Sequence, residues 1–305
     1  MQAFKSTMKK RVSLIVFFAV VLFSACDTEV EKGVMKSDLS KDVSLTTELG
    51  EIIFRLSDKT PRHRNNFIKL VNHGFYDSIA FHRVIENFLV QTGNPETRAT
   101  PSIVPETPYT LPAEIDTSLF HKRGAINAAR MGDDSNPKQE SSGTQFTIIQ
   151  GRTYTDSTLV VAEKRINNWL AYNTLINDPK HNTYFKTYTD LLLKIDTLNF
   201  SEKEEDKVLA EALEFSYKEM NSKLDSLTKL VVSTMTPYAY PEAHRTAYKT
   251  IGGAAHLDQN YVVFGEVVKG MDVVDRIATT KTDSLDKPIS DVLILYTKMI
   301  ERTLH

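Results

Sequence analysis

The chain has 305 residues, of which 41% are hydrophobic, with 12 Gly and 11 Pro, so collagen-like and wholly disordered classes are excluded and one or two globular domains are expected. Its 37 basic and 39 acidic side chains give a net charge of −2, which offers no excess positive charge to a phosphate backbone, and we expect no nucleic-acid partner. A single cysteine excludes an internal disulfide and a thiolate-based structural metal site.

The N-terminus has the pattern of an export signal. Basic residues precede an apolar run from Val12 to Ala25 that is too short to span a bilayer as a mature helix. The small residues before Cys26 resemble a bacterial lipoprotein signal, in which the cysteine is lipidated; an ordinary cleaved signal with an incidental cysteine is the alternative. We therefore expect a signal peptide over 1–25, a lipid at Cys26 that attaches the protein to the membrane, a flexible polar tether over 26–43, and a location in the cell envelope, on the periplasmic or outer-membrane side.

From Val43 the pattern is typical of short strands. Val43 to Leu49 alternates apolar and polar residues, and Ile52 to Leu56 follows after a turn, which predicts a hairpin. A proline at the first helical position, an apolar stripe and a closing glycine predict a short helix over 61–73. Further strands are predicted over Ala80–Ile85, Phe88–Gln91, Gly124–Ala129 and Thr144–Gln150.

Residues 151–250 predict an all-helical segment, rich in Lys, Glu, Leu and Ala. Between 201 and 235 apolar residues recur every three or four positions, which is helical periodicity: Leu209, Leu213, Tyr217, Met220, Leu224, Leu227 and Val231. A second helix is predicted over Thr158–Asn177. The segment is either a solvated spacer or a set of packed helices, and the apolar stripe favours packing.

Strand patterns return after Gly252. Tyr261–Val268 predicts a strand, Met271–Ala278 a helix, and Ile289–Met299 a closing strand. We therefore predict one β-rich domain of ordinary size, made of residues 44–150 and 251–305 and interrupted by the helical segment.

Conventional catalytic motifs are missing from the sequence. Ser141 and Ser142 are not surrounded by a Gly-x-Ser-x-Gly turn, the histidines do not have metal-ligand spacing, and there is no glycine-rich phosphate loop. We expect neither a metal nor a cofactor, and no nucleophilic catalysis.

The run from Phe81 to Gly93 carries the functional signal. Alternation along a strand puts Phe81 and Arg83 on one face, beside an apolar wall, and on spacing alone a strand with a solvent-exposed arginine is the simpler interpretation. The run is nevertheless similar to the signature of the cyclophilin family of peptidyl-prolyl cis-trans isomerases. Other stretches agree in the same order, namely Asn66-Phe67 with Gly74-Phe75-Tyr76, Gly143-Thr144-Gln145-Phe146, and Leu257-Asp258 with Val263-Phe264-Gly265.

This resemblance implies a mainly β fold, a closed eight-stranded cyclophilin-like barrel capped by two helices, with the active groove on its outer face. By position, Arg83 is the expected catalytic residue. The expected substrate contacts are Phe88, Leu89 and Leu257 as the proline pocket, Gln91 with the backbone of Ala129 and Arg130 as groups that align the peptide, and Thr147, His256 and Tyr261. In the family these three positions are commonly an aromatic residue, a tryptophan and a histidine. The change at Thr147 is expected to lower the rate, the change at His256 to weaken cyclosporin-type binding, and the change at Tyr261 to have little effect.

The expected chemistry needs no covalent intermediate. A peptide bond before proline resists rotation with a barrier of about 18–20 kcal/mol, because nitrogen shares its lone pair with the carbonyl. A guanidinium that donates to the prolyl nitrogen stabilises the twisted state over either planar one, and arginine stays charged at any working pH. We therefore expect an envelope-anchored prolyl isomerase acting on proline-containing, exported polypeptides. The alternative is a catalytically weak peptide-binding or chaperone module that acts mainly through the helical segment.

Overall fold

The computed structural model describes residues 27–99 and 108–302. The predicted signal peptide over 1–25 and the predicted lipidation site at Cys26 lie outside the described residues and stay predictions. Within the described ranges, no helix combines the length and apolar character that crossing a membrane requires.

Short strands and six α-helices make up the described fold. The strands are β1 (Glu29–Glu31), β2 (Val34–Met35), β3 (Lys41–Thr47), β4 (Gly50–Leu56), β5 (Arg83–Ile85), β6 (Leu89–Thr92), β7 (Thr110–Leu111), β8 (Ala125–Ala128), β9 (Ser141–Ser142), β10 (Phe146–Ile149), β11 (Val263–Lys269) and β12 (Ile294–Glu301). The helices are α1 (Pro61–Asn72), α2 (Asp156–Asn177), α3 (Asn182–Asn199), α4 (Glu204–Thr234), α5 (Glu242–Thr250) and α6 (Met271–Ala278).

Eight strands form one antiparallel sheet in the order β12-β3-β4-β11-β8-β10-β6-β5. The prediction of a closed barrel is wrong, because β12 and β5 remain the two ends of this sheet. The chain before each of them approaches the other through a bridge between Ala80 and Leu293. Beyond that point the short β5 meets a turn instead of β12, where the Val84 N–H donates to the carbonyl of Asp286 at 2.8 Å. The ladder is therefore interrupted at this seam.

The main core lies against one face of the sheet and is covered by α1 and α6. The Phe67 ring of α1 stacks on Tyr76, with centroids 4.8 Å apart, and meets Phe146 edge-on at 5.1 Å. Val274 and Ile277 of α6 are fully buried in the same core. Burial of each large apolar side chain contributes about 1.5–3 kcal/mol to the stability of this core. The helices predicted over 61–73 and 271–278 are confirmed as α1 and α6.

The N-terminal part of the described chain folds onto the domain. The prediction of a flexible tether over 26–43 is wrong for its described residues, because Val34 is fully buried in the main core. The buried Asp38 carboxylate accepts a hydrogen bond from Asn72 of α1 at 3.0 Å, and the buried Asp42 carboxylate accepts two from Arg55 at 2.9 Å. The polar residues that suggested a flexible tether therefore form hydrogen bonds with residues distant in the sequence.

Residues 151–250 contain α2 to α5, and the helices predicted over 158–177 and 201–235 are present as α2 and α4. Helix α2 packs against the sheet-bearing part through Leu159 and Ile166, which share a buried cluster with Tyr248 of α5 and with Ala255. Helices α3 and α4 pack on each other and on the end of α2 and form a separate hydrophobic cluster. Its buried residues are Leu175, Phe185, Tyr188 and Leu224.

A buried polar network fastens α5 to the sheet-bearing part. Asp258 accepts hydrogen bonds from the backbone N–H of His121 at 2.9 Å and from the Tyr248 hydroxyl at 2.7 Å, and its carboxylate lies 2.7 Å from His121 Nδ1. Because all three residues are about 1% exposed or less, each of these bonds is shielded from water.

Candidate active site

An open cleft of about 650 Å³ lies on the face of the sheet opposite the main core. Alternation along β6 and β10 explains its position, because Val90 and Ile148 point into the main core while Leu89, Gln91 and Thr147 line the cleft. All ten residues that the sequence predicts as catalytic or substrate-binding line this one cleft: Arg83, Phe88, Leu89, Gln91, Ala129, Arg130, Thr147, His256, Leu257 and Tyr261.

Arg83 stands at the rim of the cleft. It is the first residue of β5 and lies directly opposite Gln91 of β6, so the two side chains are cross-strand neighbours. Its Nε lies 3.5 Å from Asp286 Oδ2, and both side chains are a little under half exposed. An exposed ion pair of this length is weak. The guanidinium is therefore held at the cleft with little to prevent it from turning to a ligand.

The face that Arg83 uses differs from the prediction. Phe81 is buried in the main core together with Val84, so Phe81 and Arg83 do not share a face. Regular pairing begins at Arg83 itself, and strict alternation does not extend back to the residues before it. The apolar wall beside the guanidinium is built by other residues.

That wall comes from β6 and from the turn before β11. Leu89 and Leu257 are buried in a small cluster against which Phe88 and Tyr261 pack. The Phe88 ring stacks on His256, with centroids 5.3 Å apart. A flat apolar surface therefore lies in the same cleft as the weakly paired guanidinium of Arg83, an arrangement suited to a small ring next to a polar bond.

Thr147 lies at the back of the cleft and is buried. Its hydroxyl donates to Asn127 Oδ1 at 2.5 Å across the β10–β8 pairing, so its polar group is satisfied within the sheet. Beside it, Gln91 Nε2 donates to Gln145 Oε1 at 3.1 Å, which fixes the orientation of the Gln91 amide. The amides of Gln91 and Asn127 and the Thr147 side chain make this end of the cleft more polar than the Phe88 end.

The backbone of Ala129 and Arg130, which is predicted to align the peptide, lies along the cleft. The Ala129 N–H donates to Gln145 O at 3.0 Å and its carbonyl accepts from the Ser142 N–H at 2.7 Å, so both groups are used inside the fold. The Arg130 side chain braces the cleft, because it binds Asn260 O at 2.7 Å and lies 4.7 Å from the centre of the Tyr261 ring. The Ala129 carbonyl has room for a second donor, and the described residues make no hydrogen bond to the Arg130 N–H or carbonyl, so alignment of a peptide by this backbone stays a prediction.

His256 is neutral at physiological pH. Burial, followed by the nearby charge of Arg165, lowers its pKa to about 4. A neutral imidazole stacked on Phe88 adds flat surface without adding charge.

Helix α2 contributes to the cleft in a way that the sequence analysis missed. Trp169 and Arg165 of this helix line it, as do Arg152 and Tyr154 in the segment that leads to the helix. Trp169 lies 6.5 Å from His256 between ring centroids, and the Arg165 guanidinium lies 4.5 Å from the centre of the Trp169 ring. The single tryptophan of the chain was a signal in the sequence, although nothing there placed it next to His256.

Comparison with known proteins gives a consistent family. The family model for the cyclophilin type peptidyl-prolyl cis-trans isomerase/CLD matches residues 42–173 and 222–299. A relative from Staphylococcus haemolyticus named as a peptidyl-prolyl cis-trans isomerase is 24% identical over 255 residues, covering 83% of this chain and 87% of its own. A relative from Staphylococcus aureus with the same name is 24% identical over 269 residues, covering 87% and 92%.

One solved structure is also similar. The crystal structure of a cyclophilin type peptidyl-prolyl cis-trans isomerase from Cryptosporidium parvum covers 86% of this chain and 99% of its own, with 16% identity and a TM-score of 0.47. The family model spans well over half of the chain and takes in the residues of the cleft on both sides of its gap. The chain therefore belongs to the cyclophilin family of peptidyl-prolyl cis-trans isomerases.

Proposed function

We propose that the cleft accelerates cis/trans rotation of Xaa-Pro bonds in polypeptides, with Arg83 as the catalytic residue. The observation that carries this proposal is the placement of a weakly paired, half-exposed guanidinium in one cleft with the buried apolar surface of Leu89 and Leu257. The apolar surface holds the proline ring, and the guanidinium donates to the prolyl nitrogen as the bond twists. Rotation is thereby favoured because the hydrogen bond is stronger in the twisted state than in either planar state.

The remaining residues orient the peptide. Gln91, fixed by Gln145, presents its amide beside the apolar surface, and the Arg130 backbone offers a donor and an acceptor. Phe88 and His256 form one wall, while Thr147 leaves the opposite end polar. The smaller apolar area at Thr147 is expected to reduce the rate by weakening contact with the ring and not by removing the hydrogen bond that Arg83 provides.

The test is a rate comparison at position 83. We expect Arg83→Ala to lower kcat/KM on an Ala-Xaa-Pro-Phe peptide by roughly 100-fold, the effect of removing one donor that acts in the transition state. Arg62→Ala, at an exposed arginine on α1 outside the cleft, is the matched control and keeps the wild-type rate. Full acceleration by Arg83→Ala, or none by the wild type in NMR exchange measurements, contradicts the proposal.

We also propose that the isomerase works on exported proteins from a lipid anchor in the cell envelope. The support is the sequence of residues 1–26, with its basic start, apolar run and Cys26. Mass spectrometry of the mature protein tests it: a diacylated or triacylated Cys26 as the first residue is expected, and a free Met1 or a mature chain that begins elsewhere contradicts it.

The helical segment is proposed to be an insertion into the family fold. The family model is interrupted over 174–221, where α3 and the first half of α4 lie. An additional peptide-holding role for these helices is favoured by exposed apolar side chains, of which Phe200 is 90%, Phe215 67% and Val208 61% exposed. The stripe from Leu209 to Val231 is less suited to this role than the sequence indicated, because most of it packs inward.

Suppression of client aggregation tests that second role. Removing residues 151–250 is a poor experiment because Tyr248 and Ile166 are part of the packing around the sheet. The double variant Val208→Ser and Phe215→Ser changes exposed positions instead. Loss of suppression with unchanged isomerase activity supports the chaperone role, and unchanged suppression contradicts it.

A further inference from the structure

The arginines of the cleft fall into two pairs with different surroundings. Arg83 lies against Asp286, and Arg130 donates to Asp133 at 2.6 Å. Across residues 27–99 and 108–302, neither Arg152 nor Arg165 has a carboxylate within ion-pairing distance. Two exposed guanidiniums therefore face the cleft without a neutralising partner.

The backbone of each unpartnered arginine is anchored in the fold. The Arg152 backbone pairs with Gly253, through N–H to carbonyl bonds of 3.1 and 3.0 Å in the two directions. Arg165 projects from α2, which is fixed next to it by the fully buried Ile166, and its guanidinium rests on the Trp169 ring. Such anchoring lowers the entropic cost of holding a ligand.

The charge balance of the cleft is positive on its α2 side, because Arg83 and Arg130 are paired with carboxylates whereas, in the described part of the chain, Arg152 and Arg165 are not. Among its lining residues Glu86 is the single carboxylate, against four arginines. Burial is the main reason that the pKa of His256 is low, and the charges of Arg165 and Arg152 lower it further, so both arginines lie close enough to act on this wall of the cleft.

Building on the proposed function, we propose that Arg152 and Arg165 make the cleft selective for Xaa-Pro segments that carry an acidic side chain beside the proline. The proline ring contacts Leu89 and Leu257, and the neighbouring Asp or Glu carboxylate binds the two guanidiniums on the α2 side. Arginine suits this task because its planar donors match a carboxylate. The charge selects the substrate, while the rotation step stays with Arg83.

The test is a peptide series with Glu, Gln or Lys next to proline, on either side, measured at low and at physiological salt. We expect kcat/KM for the best Glu peptide to exceed that of the matching Lys peptide about five- to tenfold at low salt, with a smaller ratio at higher salt because exposed charges are screened. The double variant Arg152→Gln and Arg165→Gln is expected to bring the ratio close to one, and Arg165→Lys to keep part of it. Lys164→Gln, an exposed charge next to Arg165 outside the cleft, keeps the wild-type ratio.

The possible outcomes distinguish the charge selectivity from the proposed isomerase activity on which it rests. Equal rates for Glu and Lys peptides, or a ratio that survives the double variant, overturn the selectivity while leaving isomerase activity intact. Absence of turnover for every peptide overturns the proposed function instead. Peptide affinities from NMR titration then decide the selectivity independently: tighter binding of Glu peptides that the double variant abolishes supports it, and equal affinities overturn it.

Discussion

The sheet-bearing part and the α3–α4 pair are both built from amphipathic elements, yet they are packed very differently. The sheet encloses a core in which Phe67 is 3% exposed and surrounded by other aromatic rings. Helix α4 buries Leu224 but leaves Phe215 67% exposed. The comparison teaches that apolar residues in the sheet-bearing part chiefly maintain the fold, whereas several of those on α3 and α4 are free to serve contacts with other molecules.

The largest expected difference is between two phenylalanines. Phe67→Ala removes a ring from the centre of the main core and is expected to lower the free energy of unfolding by about 3–5 kcal/mol. Phe215→Ala changes an exposed position and is expected to change it by less than about 0.5 kcal/mol. Urea denaturation of both variants measures the contrast, and similar losses would show that α4 is packed against something in solution.

The Asp258 network is the next most sensitive point, because it joins the helices to the sheet. Asp258→Ala leaves the His121 N–H and the Tyr248 hydroxyl buried without their acceptor, and we expect a loss of roughly 3 kcal/mol. Asp190→Ala, which removes an exposed ion pair with Lys186 on α3, is the control and costs under about 0.5 kcal/mol. A loss at Asp258 as small as that of the control would separate α5 from the stability of the sheet.

Acidification is expected to weaken the sheet-bearing part. Burial lowers the pKa of His63, His82 and His256, so the folded protein keeps them neutral while the unfolded chain takes up protons. Stability is therefore fully present above about pH 6.5 and is lost as the pH falls toward 4.

The contribution of His256 can be isolated by substitution. With a folded pKa of about 4, it is expected to account for a loss of roughly 1–2 kcal/mol between pH 7.5 and pH 5. Denaturation of His256→Gln at both pH values should show a smaller loss than the wild type. An unchanged difference between the two pH values in His256→Gln would refute this assignment.

The smallest expected effect is at Thr147. Thr147→Val keeps the shape but leaves Asn127 Oδ1 without this donor, and we expect a loss of about 1 kcal/mol in stability. Because the hydroxyl is turned toward Asn127, kcat/KM should change by less than about threefold. A double-mutant cycle with Asn127→Ala measures the coupling, and additive losses would show that the hydrogen bond contributes nothing to stability.

Local sequence patterns were sufficient for the helices of the β-rich part, and the family resemblance was sufficient for ten of the residues that line the cleft. Pro61 and the apolar stripe after it defined α1, and the resemblance carried by the run from Phe81 to Gly93 brought Arg83, Phe88 and Gln91 to one cleft. These features depend on residues close in the chain, or on a motif whose order is maintained. Their positions could therefore be predicted without knowing how the chain closes on itself.

One error is local, because strand alternation does not extend back to Phe81, but the others concern contacts between distant segments. Nothing local to Asp38 or Asp42 indicates partners on α1 and β4, so a folded segment looked like a tether. Trp169 reaches His256 through the packing of α2, which periodicity cannot orient. The seam between β5 and β12 depends on a turn around Asp286 that the strand pattern does not reveal.

The folding of residues 27–43 onto the domain would limit the freedom of an anchored molecule. The Asp27 carboxylate accepts a hydrogen bond from the Ser37 N–H at 2.9 Å, and the carbonyl of Thr28 accepts one from the Lys36 N–H at 2.7 Å. A lipid on Cys26 would then be joined to a fixed point on the surface with almost no slack. Such a protein would lie close against the bilayer with a restricted set of orientations, and the direction in which its cleft opens would be set by the fold itself.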